Sequence, residues 1–356
     1  MSDTRLYLGT QYGLRIWQGD TDRWEEQQRV LDGRVVDAID GSLVNPADAF
    51  IGIAHDGLYR TKDGGESWEQ VFFGDIRAVA VDPTDGETVY VGTEPVHLYK
   101  SRDLGKNWQE IEALQSLPGE VKTKWRFPRP PHQGHVRHIF VDVKNPEVLY
   151  LALEHGGIVR TLDGGKTWQD VSQGIDYLDI HFVANFPNDP SLFFASTARG
   201  FYCSREPAEG WERAENGLDK NFCYNLVFFR GSPTVMLLAT GDGSPAHWER
   251  PGVARSSIYR SVNGAKDWEP AGGGMPKSME AMPWAMAAHP KDGRTAFAGF
   301  GQVSRGRAEV DASQDWEKTA GQLGAVWATF DRGQSWQELT IKTAAIRSMW
   351  AAEGDK

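Results

Sequence analysis

An eight-residue turn that keeps returning along the chain constrains its fold more than any other feature. It reads Thr61-Lys62-Asp63-Gly64-Gly65-Glu66-Ser67-Trp68, recurs at Ser101–Trp108 and Thr161–Trp168, and again at Ser261–Trp268 and Thr329–Trp336. A worn copy runs from Ser204 through Glu206 to Trp211, and a more worn one keeps little beyond Asp22 and Trp24. Such a turn is a local folding device. The Asp accepts hydrogen bonds from backbone N–H groups of its own turn, Gly supplies a positive φ, and the Trp buries between neighbouring sheets. None of these Asp residues is therefore a catalytic candidate.

Each turn follows a short strand such as Gly57–Arg60 or Gly157–Arg160, and two more strands precede that one. Examples are Ile76–Val81 then Thr88–Gly92, and Val136–Val141 then Val148–Ala152, joined by Asp82-Pro83-Thr84-Asp85-Gly86 and Lys144-Asn145-Pro146-Glu147. Four strands per unit, at spacings of about 40 residues or more, describe a propeller blade. Trp24, Trp68, Trp108, Trp168, Trp211, Trp268 and Trp336 mark seven units. A further strand, Ala345–Trp350, matches the innermost strand of the others, while Arg5–Thr10 matches a second strand. The expected fold is all-β: one domain over 1–356, a seven-bladed β-propeller of four-stranded antiparallel blades. The C-terminal strand joins the N-terminal blade and removes the open edges a lone sheet would expose.

The repeat resembles the Asp box, S/T-x-D-x-G-x-S/T-W, of the BNR-repeat propellers, and the resemblance covers almost the whole chain. That superfamily includes sialidases and other glycosidases, sortilin-type receptors and photosystem assembly factors, so the resemblance implies a scaffold that hosts both enzymes and pure binders. Sialidases also carry an early Arg-Ile-Pro motif, an arginine triad and a Tyr/Glu pair on six blades. This chain offers only Trp125-Arg126-Phe127-Pro128-Arg129-Pro130, in the wrong place and order.

A net charge of −11 disfavours nucleic acid and anionic membranes as partners. No apolar run approaches the length of a membrane span. The N-terminus shows no secretory signal pattern, and Cys203 and Cys223 fit no metal or redox spacing, so a cytoplasmic protein with two free thiols is expected.

Three blades carry extra residues. The excess at about 113–134 lies between an outer strand and the next inner strand; those at about 242–256 and 301–324 lie between second and third strands. In an antiparallel four-stranded blade both connections open on one face, opposite the repeated turns, which marks the working side.

One residue per blade falls near the start of each inner strand: Arg77, Arg137, His181, Tyr224, Trp284, Arg347 and Asp37. Around one opening, these side chains suit a small anionic ligand with a planar or sugar-like part. Equivalent positions past the second strand hold His55, Glu94 and Glu154, with His155 following. Arg77 with Glu94, and Arg137 with Glu154, recur at one separation and equally suit ion pairs between strands. His135 or His181 beside Glu154 or Glu94 is the candidate acid–base set. His132, His135 and His155 are candidate ligands for a divalent metal, although their spacing matches no standard site. His138 lies an odd number of residues from His135 and is assigned to the core. Trp125 and Trp248 either stack on a ligand or anchor their loops.

Two functions remain open on the sequence. One is a hydrolase or lyase acting on a small anionic or sugar-like substrate. The other is a non-catalytic ligand- or protein-binding module of the assembly-factor type.

Overall fold

The computed structural model describes residues 3–229, 231, 234–248, 253–301 and 323–354. Its strands form seven antiparallel sheets in a seven-bladed β-propeller fold. Blade 1 contains Val36–Gly41, Ala49–Ile53, Asp56–Thr61 and Glu69–Gly74. Blades 2, 3 and 4 begin with Ile76–Val81, His135–Val141 and Ile180–Phe186; blades 5 and 6 begin with Phe222–Phe228 and Met282–Ala288. Blade 7 is closed as expected. Its inner strand, Ile346–Glu353, pairs with Thr4–Thr10, with Thr4 opposite Glu353 and Leu8 opposite Met349. Residues group into two compact units, Ala38–Ala214 and Met1–Asp37 with Glu215–Lys356.

The repeated turns hold themselves by one hydrogen-bond pattern. Thr61 Oγ1 donates to Asp63 Oδ1 (2.7 Å) and accepts from Gly65 N (2.8 Å), while Asp63 Oδ1 accepts from Ser67 N (2.9 Å). Thr161, Asp163, Gly165 and Thr167 repeat it within 0.1 Å. At Asn263 the amide and acid are exchanged: Asn263 Nδ2 donates to Asp267 Oδ2 at 2.8 Å. In the most worn copy the acceptor is Asp20, not Asp22; Asp20 Oδ1 takes the N–H groups of Asp22 (2.9 Å) and Arg23 (3.2 Å).

Each blade narrows at a matching point. On the second strands, Gly9, Gly52, Gly92, Ala152, Ser196, Ala239 and Gly299 occupy equivalent positions. A Cβ on Gly92 would stand 2.4 Å from Val136 Cβ, and one on Gly52 2.6 Å from Ile76 Cγ2. Gly299 meets Ile346 at 2.6 Å in the same way. Small side chains thus let the next blade's inner strand close in. Beside these positions the inner strand carries a bulge. Ile76 pairs with Thr93 but Ala78 with Gly92, leaving Arg77 as the extra residue. The same slip leaves out Arg137, His181, Trp284 and Arg347, and in blade 5 Tyr224 with Asn225. An inserted residue bends the strand and re-aims its side chain.

The 113–134 insertion adds a 3-10 turn, Glu112–Ser116, and a short helix, Gly119–Lys122, whose Leu114, Leu117 and Val121 extend the apolar core beside blades 2 and 3. The 242–256 insertion is described except for 249–252. That at 301–324, apart from its ends, lies outside the described residues.

Two predictions follow from these contacts. Side-chain and backbone hydrogen bonds from Thr167 hold the Asp163 carboxyl down at about 2, against 3.8 ordinarily. Its contribution is complete above the ordinary value and disappears as pH falls through about 2. Asp163→Ala should lower the melting temperature at pH 7, with the difference closing as the solution is acidified across that window. Gly92→Ala should cost about 1–3 kcal/mol by overpacking, measured by denaturant unfolding, and Val136→Ala in the same chain should recover part of it.

Candidate functional site

The inner edges of blades 1 to 4, all but one strand start within the Ala38–Ala214 unit, carry a continuous run of ionisable side chains. Asp75 Oδ1 is 3.0 Å from Arg77 Nε, and Arg77 Nη2 is 2.8 Å from Glu94 Oε2. Glu94 Oε2 lies 3.5 Å from His135 Nδ1, and His135 Nε2 is 2.9 Å from Glu154 Oε2. Arg137 Nε stands 3.7 Å from that same oxygen. Asp179 faces two imidazoles, His155 Nε2 at 3.3 Å and His181 Nε2 at 3.7 Å.

A repeated geometry underlies the run. The turn after one blade's second strand reaches the residue that opens the next blade's inner strand. His55 Nδ1 meets Asp75 at 2.7 Å, Glu94 meets His135, and His155 meets Asp179. His55 and His155 hold positive φ values, +60° and +54°, which are uncommon for a non-glycine residue. In the middle rung the acid and the imidazole have exchanged blades. Asp75 and Asp179 escaped the sequence reading, yet a signal existed: Asp75-Ile76-Arg77, His135-Val136-Arg137 and Asp179-Ile180-His181 share one pattern.

The four candidate acid–base residues, His135, His181, Glu154 and Glu94, and two of the candidate arginines, Arg77 and Arg137, thus lie in one network. The Arg77–Glu94 and Arg137–Glu154 contacts are the ion pairs that the sequence left as an alternative. His135 and Asp179 are each more than nine-tenths buried. Among the described residues, His135 Nδ1 and Asp179 Oδ1 nevertheless have no hydrogen-bond partner. Burial pushes the Glu154 carboxyl up, but His135, Arg137 and His181 together pull it well below its ordinary value. Asp179 goes the other way: burial first, then the Glu154 charge, push it up to about 8. Burial also lowers His155, against the pull of Glu154. One carboxyl is held ionised and its neighbour protonated, a pattern typical of acid–base pairs.

The 113–134 insertion lies across this network. A Cβ on Gly156 would meet Trp125 Cδ1 at 3.0 Å, and Trp125 O accepts from Gly134 N (3.0 Å). Trp125 therefore anchors its loop. Phe127 packs on two imidazoles, 5.1 Å from His155 and 6.1 Å from His135 between centroids. His132 is exposed, its Nδ1 3.1 Å from the Phe127 carbonyl. The three histidines proposed for a metal have separate partners, and no group of three or more His, Cys, Asp or Glu stands in metal-holding geometry among the described residues. His138 is partly buried and lies tilted against Phe182, with ring centroids 4.1 Å apart, and burial pushes it down to about 3.

In the other unit, Tyr224, Trp284, Trp248 and Phe222 form an aromatic cluster, with Tyr224 and Trp284 edge to face at 5.0 Å. Trp248 is buried and donates to Asp242 O at 2.6 Å, so it too anchors its loop. Arg347 pairs with Asp37 at 2.6 Å. A cleft of about 370 Å³ lies in the first unit, lined by Lys124, Asp170, Ser172, Gln173, Gly174, Ile175 and Leu178. No side chain of the network lines it, although Leu178 immediately precedes Asp179.

No protein-family model matches the chain. No curated protein matches it either. Among solved structures, the chain is similar to a GH74 xyloglucanase from Xanthomonas campestris, with TM-score 0.59 and 15% identity over 85% of this chain. It is also similar to a GH74 enzyme from Niastella koreensis (0.61, 15%, 85%). In both cases it spans only 45% of the neighbour's length. YCF48 bound to a D1 peptide gives TM-score 0.55 and 18% identity, with 90% of this chain and 87% of that one covered. YCF48 from Cyanidioschyzon merolae gives 0.54 and 16%, with 88% and 87% covered. At these identities the likeness establishes the propeller fold alone.

The raised Asp179 has a signed consequence. Its folded form keeps a proton that the unfolded chain releases near 3.8, so this group makes stability fall as pH rises from there to about 8. Asp179→Asn should flatten that part of the stability–pH curve. Glu154→Gln should lower the Asp179 titration, read from the protonated-carboxyl stretch in infrared difference spectra.

Proposed function

We propose that the network on blades 1 to 4 is the acid–base site of a hydrolase or lyase acting on a small anionic or sugar-like substrate. The observation that carries this reading is His135, buried between Glu94 and Glu154 with a ring nitrogen that has no hydrogen-bond partner among the described residues. A carboxylate accepts only, so Nε2–H donates to Glu154, and in the neutral tautomer it is Nδ1 that carries the lone pair. Glu154 itself is too weak a base for proton abstraction, because its charged form is so strongly favoured. It orients His135, and both flanking carboxylates stabilise the imidazolium once Nδ1 takes a proton. Asp179, kept protonated beside it, is the donor. In hydrolysis, water gives a proton to His135 Nδ1 as its oxygen bonds to the substrate. The leaving oxygen takes the Asp179 proton as its bond breaks. Elimination uses the same two groups on a carbon-bound proton and a leaving hydroxyl.

A second reading is favoured by chain coverage. The match takes in 87% of YCF48, which one structure holds with a D1 peptide, against 45% of the GH74 chains. A propeller of this length with the same network also suits a non-catalytic ligand- or protein-binding module.

The test is turnover of chromogenic glycosides and esters, and formation of unsaturated products from sugar acids, by wild type, His135→Gln and Asp179→Asn. Activity should fall by about 10²-fold or more in each variant, with ligand binding retained under conditions where circular dichroism shows each variant folded. Binding without turnover in wild type would instead support the module.

A further inference from the structure

Two arginines beside this network have no carboxylate partner among the described residues. Most cations around the site are already engaged: Arg77 with Asp75 and Glu94, Arg137 with Glu154, Lys124 with Asp170 at 2.8 Å, and Arg213 with Asp176 at 2.9 Å. Arg199 and Arg126 are exposed, and neither has an ion pair among the described residues. In a chain of net charge −11, two unneutralised guanidinium groups at one place need a reason.

Both are held close to the catalytic groups by their backbones. Ala198 N, one residue before Arg199, donates to Asp179 O at 3.0 Å, and Arg199 N donates to Thr197 Oγ1 at 3.0 Å. Arg213 Nη2 reaches the Arg199 carbonyl at 3.2 Å. On the other side, Arg126 N donates to His155 O at 3.1 Å, between Trp125 packed on Gly156 and Phe127 packed on His155. The two residues therefore flank the His155–Asp179 pair from the Gly200–Ser204 strand entry and from the insertion.

Arg199 is also preorganised. Its guanidinium carbon lies 4.3 Å from the centre of the Tyr177 ring, and Tyr177 stands edge to face with His155, centroids 6.0 Å apart. Stacking occupies a face of the guanidinium and leaves its in-plane N–H edges available. Those edges match the two oxygens of a carboxylate, and the bidentate geometry discriminates against neutral groups. Tyr177 and Phe127 add apolar ring surface beside the same acid–base groups.

We propose that Arg199 and Arg126 are specificity-determining residues that select a carboxylate-bearing ring substrate, a sugar acid rather than a neutral sugar, with Tyr177 as the positioning residue for Arg199. This rests on the acid–base reading for the chemistry, though the anion site itself does not. It also accounts for a feature the ring of arginines does not. Arg77 and Arg137 are neutralised by protein carboxylates, so the substrate's charge is read at the rim, where free donors remain.

The experiment is isothermal titration of the full chain with D-glucuronate, D-glucose and D-glucose 6-phosphate at low and high salt. Wild type should bind glucuronate at least about tenfold more tightly than glucose, with the preference shrinking in salt. Arg199→Gln and Arg126→Gln should each reduce the preference and together abolish it, leaving glucose binding and the melting temperature unchanged. Arg199→Lys should restore only part of it, and Tyr177→Leu should weaken glucuronate more than glucose. Equal binding of glucose and glucuronate, or an unchanged preference in the double variant, overturns the proposal. So does a preference for the phosphate over the carboxylate. The two readings fail separately. Turnover of neutral sugars that still depends on His135 would leave the acid–base site standing without this selectivity. An arginine-dependent glucuronate preference with no turnover would leave the anion site on a binding module.

Discussion

Everything at the candidate site depends on how closely one blade's inner strand packs on the previous blade's second strand. The contact is made through a single small residue per blade. At Gly92 there is no room for even one added carbon, because Val136 already fills the space. Where Gly gives way to Ala152, Ser196 or Ala239, the residue is still among the smallest available. The register slips at the same level, so close approach and bulge form one device. The bulge frees one side chain per blade from the strict alternation of a strand. Five of the freed residues are Arg77, Arg137, His181, Trp284 and Arg347, and Tyr224 is one of the two freed in blade 5.

The rungs between turn and strand opening then set the chemistry. His55–Asp75 and His155–Asp179 each join an imidazole on one blade to an acid on the next. The middle rung differs because acid and imidazole have changed places, which sets His135 between Glu94 and Glu154. Two carboxylates around one imidazole, with Arg137 also facing Glu154, concentrate negative and positive charge in a space mostly closed to water. In such a space charges cannot be independent. Favouring the ionised form at Glu154 raises the cost of a second ionisation at Asp179, so the two carboxyls are driven apart in titration.

The architecture was legible because its cause is local and repeated. Asp63, Asp103 and Asp163 each organise their own turn, so eight consecutive residues were enough to read the blade, and counting Trp residues gave the number of blades. Closure was legible because Ala345–Trp350 looked like an inner strand and Arg5–Thr10 like a second strand. The ring positions could be aligned from strand ends, though not the bulge that re-aims them, since register slips leave no trace in composition. Asp179 was missed for a related reason: it lies one residue before a strand, where an acid normally reads as a solvated loop residue. Its importance comes from His155, 24 positions earlier and on another blade. The metal assignment drew on histidines that are close in sequence, but His132 turns to the Phe127 carbonyl while His135 enters a strand.

A scaffold of this kind separates what must be invariant from what is free to change. The Thr/Ser–Asp–Gly turns and the small residue on each second strand are fixed by backbone hydrogen bonds and by van der Waals contact. The bulged residue is fixed by neither, since its side chain leaves the sheet. Blades 2 and 3 place Arg there and blade 4 His; blades 5 and 6 place Tyr and Trp at no cost to the sheet behind them. The charged side chains of blades 2 to 4 need partners once they are desolvated, and Asp75, Glu94, Glu154 and Asp179 supply them. At the rim, Arg199 and Arg126 stay solvated and have no carboxylate partner among the described residues. Charge compensation inside and free charge at the edge are therefore two results of one constraint: burial increases toward the closely packed inner strands.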